Sequence, residues 1–447
     1  MQRTKYKAYS NRHIWNVSFP IIVAFLAQNV INVTDTAFLG HVGEVELGAS
    51  VMGGLYYICI FTVFFGFSTG AQIIISRRNG EKNYHAIGPV VIQGMIFLLI
   101  LAFAVLVLSF FYTGNIMRLM VSSKVIREAT LTFLKWRMPG LIFDAIYIMF
   151  RAFFVGIAKT KIMTVGAIIM AVTNIILDYL LIFGKFGFPE MGLEGAAIAS
   201  TISLFVYALF FVVYTFLKTD RRKYGFTRLK SIDMGLLKHV LRISVYTMFQ
   251  YFISMGTFFL FFVAIERQGH HALAIANIAR SIYIVMFIPV NALSAASNTL
   301  VSNIIGEGRS NNVMQLVNRI SRLSLIVMAV FVLLLCLFTK TILSLYTNDL
   351  SLITESVPSL YVIAGAMIIS SIASVTFNSI SGTGNTKPAL MLELGVLALY
   401  TLHICLSGIY FKLPVHICFT AEILYFGLLL AGSVLYLRLA DWKKKKI

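Results

Sequence analysis

Charge is scarce in this chain. Asp, Glu, Lys and Arg make up 12% of its 447 residues, against roughly a quarter in a soluble domain. So few charges cannot wet a whole surface, and the remainder is 59% apolar, with a mean hydropathy of +0.86. Acid is the scarcer sign, 18 residues against 37 basic ones. Cysteine is scarce too. Cys59, Cys336, Cys405 and Cys418 lie apart, in or beside apolar runs. Without clustering or ligand spacing they exclude a thiolate metal centre, and they read as small core-filling residues. There is no HExxH pair, no nucleophile motif and no phosphate-cradling loop. The polar connections are too short for a nucleotide domain. These absences argue against a membrane enzyme and against an ATP-driven pump.

What the chain has in abundance is apolar runs of 20 or more residues. Each is long enough to cross ~30 Å of hydrocarbon as a helix. They lack the alternation of a barrel strand, so helices are the form that satisfies their backbone in lipid. Twelve spans are expected, near 14–39, 49–76, 90–113, 128–157, 161–184, 192–217, 238–265, 272–303, 316–338, 356–380, 388–410 and 416–438. The basic start "MQRTKYKAYSNRH" runs straight into the first span with no small-residue cleavage site, so that span is expected to stay. An even number of spans puts both termini on one side. That side, with the even-numbered connections, carries 26 Lys and Arg; the other carries nine, and Arg151 and Arg280 lie within spans. The asymmetry is the positive-inside signal and predicts cytoplasmic termini. The tail "DWKKKK" and the loop "KTDRRKYGFTRLK" would then face anionic lipid headgroups. Nucleic acid is not needed to explain the net charge of +19.

The chain also repeats itself. "HIWNVS" at 13 pairs with "HVLRIS" at 239, Gly43 with Gly269, "GEKN" at 80 with "GEGR" at 306, and "GIAKTK" at 156 with "GTGNTK" at 382. All four offsets are 226 residues. This predicts two six-helix lobes, 1–217 and 238–447, joined by a basic linker at 218–237. Lobes of six helices enter the membrane from the same side and are parallel repeats, a frequent chassis for alternating access.

An ionisable residue inside a span is expensive and so a functional candidate. Asp35 lies deep in the first apolar run. Asn174 and Asp178 are four apart and share a helix face, offering hard oxygen ligands. With Asp35 they can form an anionic pocket for a proton or a hard cation. Arg280 lies about 12 Å into the eighth span, where it can bind an anionic group, pair with an acid or snorkel to water. Arg137, Asp144 and Arg151 are spaced by seven and are expected on one face of the fourth span, either lining a cleft or tying helices together. Glu422, inside the twelfth span, can contact substrate or hold a proton; Glu393 lies near the start of the eleventh. His403 reads as a packed core histidine. Tyr56, Tyr57 and Tyr283 are cleft candidates in a chain with 37 Phe, 20 Tyr and 18 Met, a composition suited to adaptable binding of amphiphiles.

The motifs "SFP" at 18–20, "DTAFLGHVGEVELGA" at 35–49, "NIILDYLLIFG" at 174–184, "GLEGAAIAS" at 192–200 and the pair "GIAKTK" and "GTGNTK" together resemble the multidrug and toxic compound extrusion (MATE) family. The resemblance implies an all-α polytopic membrane protein of twelve transmembrane helices in two pseudo-symmetric bundles. It implies a secondary antiporter that exports organic cations or amphiphilic drugs in exchange for protons or sodium, with no other cofactor, acting as a monomer in the cell (inner) membrane. The acids look most like the DinF-type branch. There the pattern assigns coupling to Asp35, Asn174, Asp178 and the Ser200 hydroxyl, with metal ligation by the first three if the ion is sodium, and a helix bend at Pro20. A sister branch has acids in spans seven and ten, where this chain has Ser254 and the region of Ala364. Neither span carries an acid inside it, which casts doubt on such a site in the second lobe. The alternatives are a flippase or exporter of a lipid-linked or anionic amphiphile, met by the arginines, and a non-transporting receptor or scaffold.

Overall fold

The computed structural model describes residues 9–227 and 232–444. The basic start, part of the linker and the last residues of the tail therefore lie outside the described residues. The remainder is helical, with no strand among the described residues.

The helices are α1 (Asn11–Val42), α2 (Glu44–Gly80), α3 (Ile87–Met120), α4 (Lys124–Arg137), α5 (Gly140–Gly156), α6 (Lys161–Ile182), α7 (Gly192–Lys218), α8 (Met234–Glu266), α9 (His270–Gly306), α10 (Val313–Leu337), α11 (Thr339–Ser344), α12 (Leu350–Gly382), α13 (Thr386–Ile404), α14 (Val415–Cys418) and α15 (Thr420–Leu439). Among the described residues, eleven helical segments are long and apolar enough to cross a membrane, and twelve with α4 and α5 taken as one bent span. The expected spans all appear. α1 runs unbroken through Pro20 although proline removes one rung of the helix ladder.

Two expectations need correction. The fourth span is bent by 51° between α4 and α5. Pro139 sits in the break and disfavours helix at the residue before it. Arg137 therefore ends one helix while Asp144 and Arg151 lie on the next, and the three do not share one continuous face. The "HH" pair at 270–271 precedes the expected eighth span and reads as an outer-side loop pair, but it opens α9, where His271 Nε2 meets a Glu355 carboxylate oxygen of α12 at 2.9 Å.

The chain forms two compact units. One comprises Val23–Ile75 and Asn83–Met248; the other comprises Met1–Ile22, Ser76–Lys82 and Phe249–Ile447. In the first, Phe67, Phe153, Phe154 and Phe211 are fully buried. The connection after α7 is packed rather than free: Gly88 N donates to Tyr224 O at 2.7 Å, and Phe153 stacks edge-on to both Tyr224 and Phe226. Gly225 has φ +74°, and a Cβ there would stand 2.1 Å from His85 O, so this turn needs glycine.

The repeated motifs now have a physical reason. A Cβ on Gly156 would meet the Ile75 side chain at 2.6 Å and Gln72 O at 3.4 Å. Its counterpart 226 residues on, Gly382, would meet Asn298 O at 2.6 Å. In the second unit a Cβ on Gly80 would stand 2.0 Å from Asn303 O, and one on Gly306 would stand 2.3 Å from Arg77 O. Arg77 and Asn303 are themselves 226 apart. The ends of α2 and α9 thus cross in reciprocal backbone contact, and the Asn79 amide donates to Asn303 Oδ1 at 2.6 Å beside it.

Candidate functional site

In the first unit, small residues bring the polar ones together. Gly195 lets α7 approach the end of α6 so closely that a Cβ there would be 2.7 Å from Leu181 O. Ala196, Ala197 and Ala199 are buried in the same turns. This apposition carries Ser200 to Asp35, whose Oδ2 accepts from the Ser200 hydroxyl at 3.5 Å. Asp178 faces Asp35 within hydrogen-bonding range. Asn174 and Asp178 are completely buried. Among the described residues, no donor reaches Asp35 Oδ1 or either oxygen of Asp178, and the Asn174 amide has no partner at all. Two such carboxylates repel unless a proton or a cation lies between them. Asp35, Asp178 and Ser200 therefore lie together, and Asn174 lies one helical turn before Asp178 in α6, buried and without a partner among the described residues.

Next to it is a second polar cluster. Tyr57 donates a short hydrogen bond to Asp144 Oδ2, and the Arg137 guanidinium lies 3.8 Å above the Tyr57 ring. Arg137 also lies close enough to act on Asp35 electrostatically. Gly140 makes room for these groups; a Cβ there would be 2.7 Å from Arg137 Nη1 and 3.1 Å from the Tyr57 hydroxyl. Arg151 is buried, with its guanidinium 4.4 Å over Phe65. Tyr56 turns elsewhere, to Ser109 and Thr113 at 3.2 Å each. It joins α2 to α3 and takes no part in the cluster.

The second unit holds a cavity of about 240 Å³ lined by residues of α8, α9, α12, α13 and α15. Ser254 lines it, as does an acid that sequence reasoning placed in neither span seven nor span ten. Glu393 reaches across from α13 and accepts from the Ser254 hydroxyl at 2.6 Å and the Tyr425 hydroxyl at 3.0 Å. Spans seven and ten carry no acid inside them, as the sequence reads, and the carboxylate at Ser254 comes instead from span eleven. Glu422 lines the same cavity and accepts from Tyr400 at 3.0 Å and Tyr283 at 3.4 Å. Ala364 is buried in α12 and is not part of the lining. Arg280 does not line it either; its guanidinium lies 4.9 Å over Phe262. His403 is held by the Thr420 hydroxyl at 3.1 Å, a packed histidine. The signal for Glu393 was present, an acid in an apolar run, but its partner Ser254 lies 139 residues away.

Comparison with known proteins agrees with this architecture. The MatE family model matches residues 20–180 and again residues 247–407. The double match falls within a residue of the 226-residue repeat. A probable multidrug resistance protein NorM of Thermotoga maritima is 25% identical over 383 residues, covering 85% of this chain and 82% of that protein. One from Idiomarina loihiensis is 26% identical over 376 residues, covering 83% and 81%. Among solved structures, an outward-facing multidrug resistance MATE family transporter of the MOP superfamily superposes with a TM-score of 0.88 at 19% identity, covering 97% of this chain and 96% of that one. A MOP superfamily transporter from Pyrococcus furiosus, described as having a binding pocket of reverse polarity, gives 0.88 at 19% identity with 97% of both chains covered. With its twofold family match and its shared twelve-span fold, this chain belongs to the MatE family of membrane transporters.

Proposed function

We propose that the chain is a secondary active exporter of cationic or amphiphilic drug-like molecules, coupled to inward flow of protons or sodium through Asp35 and Asp178. The observation that carries this reading is the facing carboxyl pair, with the Asn174 amide buried and unpartnered in the same unit and Ser200 at Asp35. An ion between the carboxyls relieves their repulsion; its loss restores it. That difference is a source of work for repacking α1, which carries Asp35, against α6, which carries Asp178. Asn174 Oδ1 and the carboxylates are hard oxygen donors, fitting sodium as well as a proton. The relatives named as multidrug resistance proteins support the substrate class. The excess of basic residues on the even-numbered connections supports cytoplasmic termini in a cell membrane. Each lobe has its own packed core, so a monomer surrounded by lipid is the simplest working unit.

Export of an anionic or lipid-linked amphiphile is the second reading. It relies on Arg137, Arg151 and Arg280 meeting a phosphate. Each of the three instead covers an aromatic ring, and none lines the cavity of the second unit.

The test is flux of a fluorescent organic cation in proteoliposomes under an imposed pH or sodium gradient. Wild type is expected to follow one of the gradients and Asp35→Asn neither. Flux indifferent to both gradients, or full driven flux in the variant, contradicts the coupling assignment.

A further inference from the structure

Among the described residues, the cavity of the second unit is lined by two carboxylates and no base. Glu393 on α13 and Glu422 on α15 both line it, and no Lys, Arg or His does. Both side chains are buried, 3% and 8% exposed. Each has its own pair of hydroxyl donors, Ser254 and Tyr425 for Glu393, Tyr400 and Tyr283 for Glu422. Neutral hydroxyls orient a carboxylate and strengthen its hydrogen bonds, but they do not neutralise it. Glu393 Oε2 is buried with no hydrogen-bond partner among the described residues. So is Oε1 of Gln250, which lines the same cavity. Both residues line the cavity, and the Gln250 side chain lies beside Glu393.

The walls are aromatic. Tyr400 and Tyr425, which carry one hydroxyl to each glutamate, stand 5.9 Å apart at 76°. Tyr425 meets Phe426 at 5.0 Å, Phe426 meets Phe287 at 5.9 Å, and Phe287 stacks on Tyr283 at 5.5 Å. Ring faces around a carboxylate are the chemistry that holds an alkylated ammonium, whose methyl groups favour π surfaces over water.

From this we infer that the cavity is a binding site for an organic dication, a molecule with two ammonium or amidinium groups joined by an apolar spacer. One charge rests at Glu393 and the other at Glu422, with the spacer against Phe287 and Phe426. A single cation meets one carboxyl and leaves the other to hold a proton, so a ligand with two charges gains an ion pair that a single-charge ligand lacks. The inference rests on the reading of the chain as an exporter of cations, and it names a class of ligand and two residues that recognise it.

The test is equilibrium binding to the full-length protein in detergent. The probes are α,ω-bis(trimethylammonium)alkanes of increasing length, each compared with the alkane of the same length bearing one trimethylammonium and one hydroxyl. Wild type is expected to bind the bis-cation roughly tenfold or more tighter than its single-charge partner, with an optimum in spacer length. Glu393→Gln and Glu422→Gln are each expected to remove most of that preference while still binding the single-charge probe. Equal binding of the two probes by wild type overturns the inference, as does a preference that survives both substitutions. If either variant does not fold, the wild-type preference and its length optimum decide alone. Flux of a single-charge dye is measured beside it. Driven flux without bis-cation preference removes this site and leaves the exporter reading; bis-cation preference without driven flux does the reverse.

Discussion

Asp178 is completely buried, faces another acid and receives no donor among the described residues. Such a group opposes folding, at a cost of several kcal/mol when it is charged and unpaired. Asp178→Asn removes the repulsion while keeping the shape. The variant is expected to melt several degrees higher than wild type in detergent and to lose nearly all gradient-driven flux, the trade expected of a strained functional site. A variant that melts lower and still transports would place Asp178 in the scaffold instead. Tyr57 gives the opposite case. It donates to Asp144 under the Arg137 guanidinium, so Tyr57→Phe leaves a buried carboxylate short of its donor. A loss of about 1–3 kcal/mol is expected, read as a lower melting temperature. At this scale much was legible in the sequence. Asp35 and Asp178 stand out because acid in an apolar run is costly wherever the run folds. The pairing of Glu393 with Ser254 was not legible, because it depends on which faces of α8 and α13 turn toward one cavity. Nor could spacing separate Tyr56 from Tyr57: adjacent residues on a helix point about 100° apart, and only the neighbours decide which direction matters.

Among the elements, the glycines carry the most information. Gly80 and Gly306, which recur 226 residues apart, are sites where one helix backbone lies against another, as is Gly382. Gly306 is predicted to be intolerant: Gly306→Ala puts a methyl against Arg77 O, and a cost of about 1–3 kcal/mol is expected from overpacking. Gly256, inside α8, has no atom within 4 Å of a built Cβ. Gly256→Ala is expected to be neutral or to stabilise by up to about 1 kcal/mol through helix propensity. Thermal melts of the two variants side by side check both statements, and equal melting temperatures would contradict the packing account. The repeat was readable because backbone contact tolerates only one residue type, which leaves a mark in the sequence. The break in span four was not read, since Met138 and Pro139 are themselves apolar and hydropathy alone does not register a missing N–H. The spacing of Arg137, Asp144 and Arg151 therefore suggested a shared face that the 51° bend removes.

At the level of the whole molecule, the number of spans and the placement of basic residues together set topology. A reporter that fluoresces only when folded in the cytoplasm, fused after Ile447, is expected to be bright; a dark fusion of a well-expressed protein contradicts cytoplasmic termini. The fold class was legible throughout, because lipid leaves so few solutions for a backbone. The division into compact units was less so: Met1–Ile22 and Ser76–Lys82 join the unit built on the second half, while the start of α8 joins the other. The central claim is that Asp35 couples an ion to transport and is not needed to bind or carry the substrate itself. The most direct measurement compares gradient-driven uptake with gradient-free substrate exchange in the same proteoliposomes, for wild type and Asp35→Asn. The account predicts that the variant loses driven uptake and keeps exchange. Loss of both together, or retention of both, would contradict it.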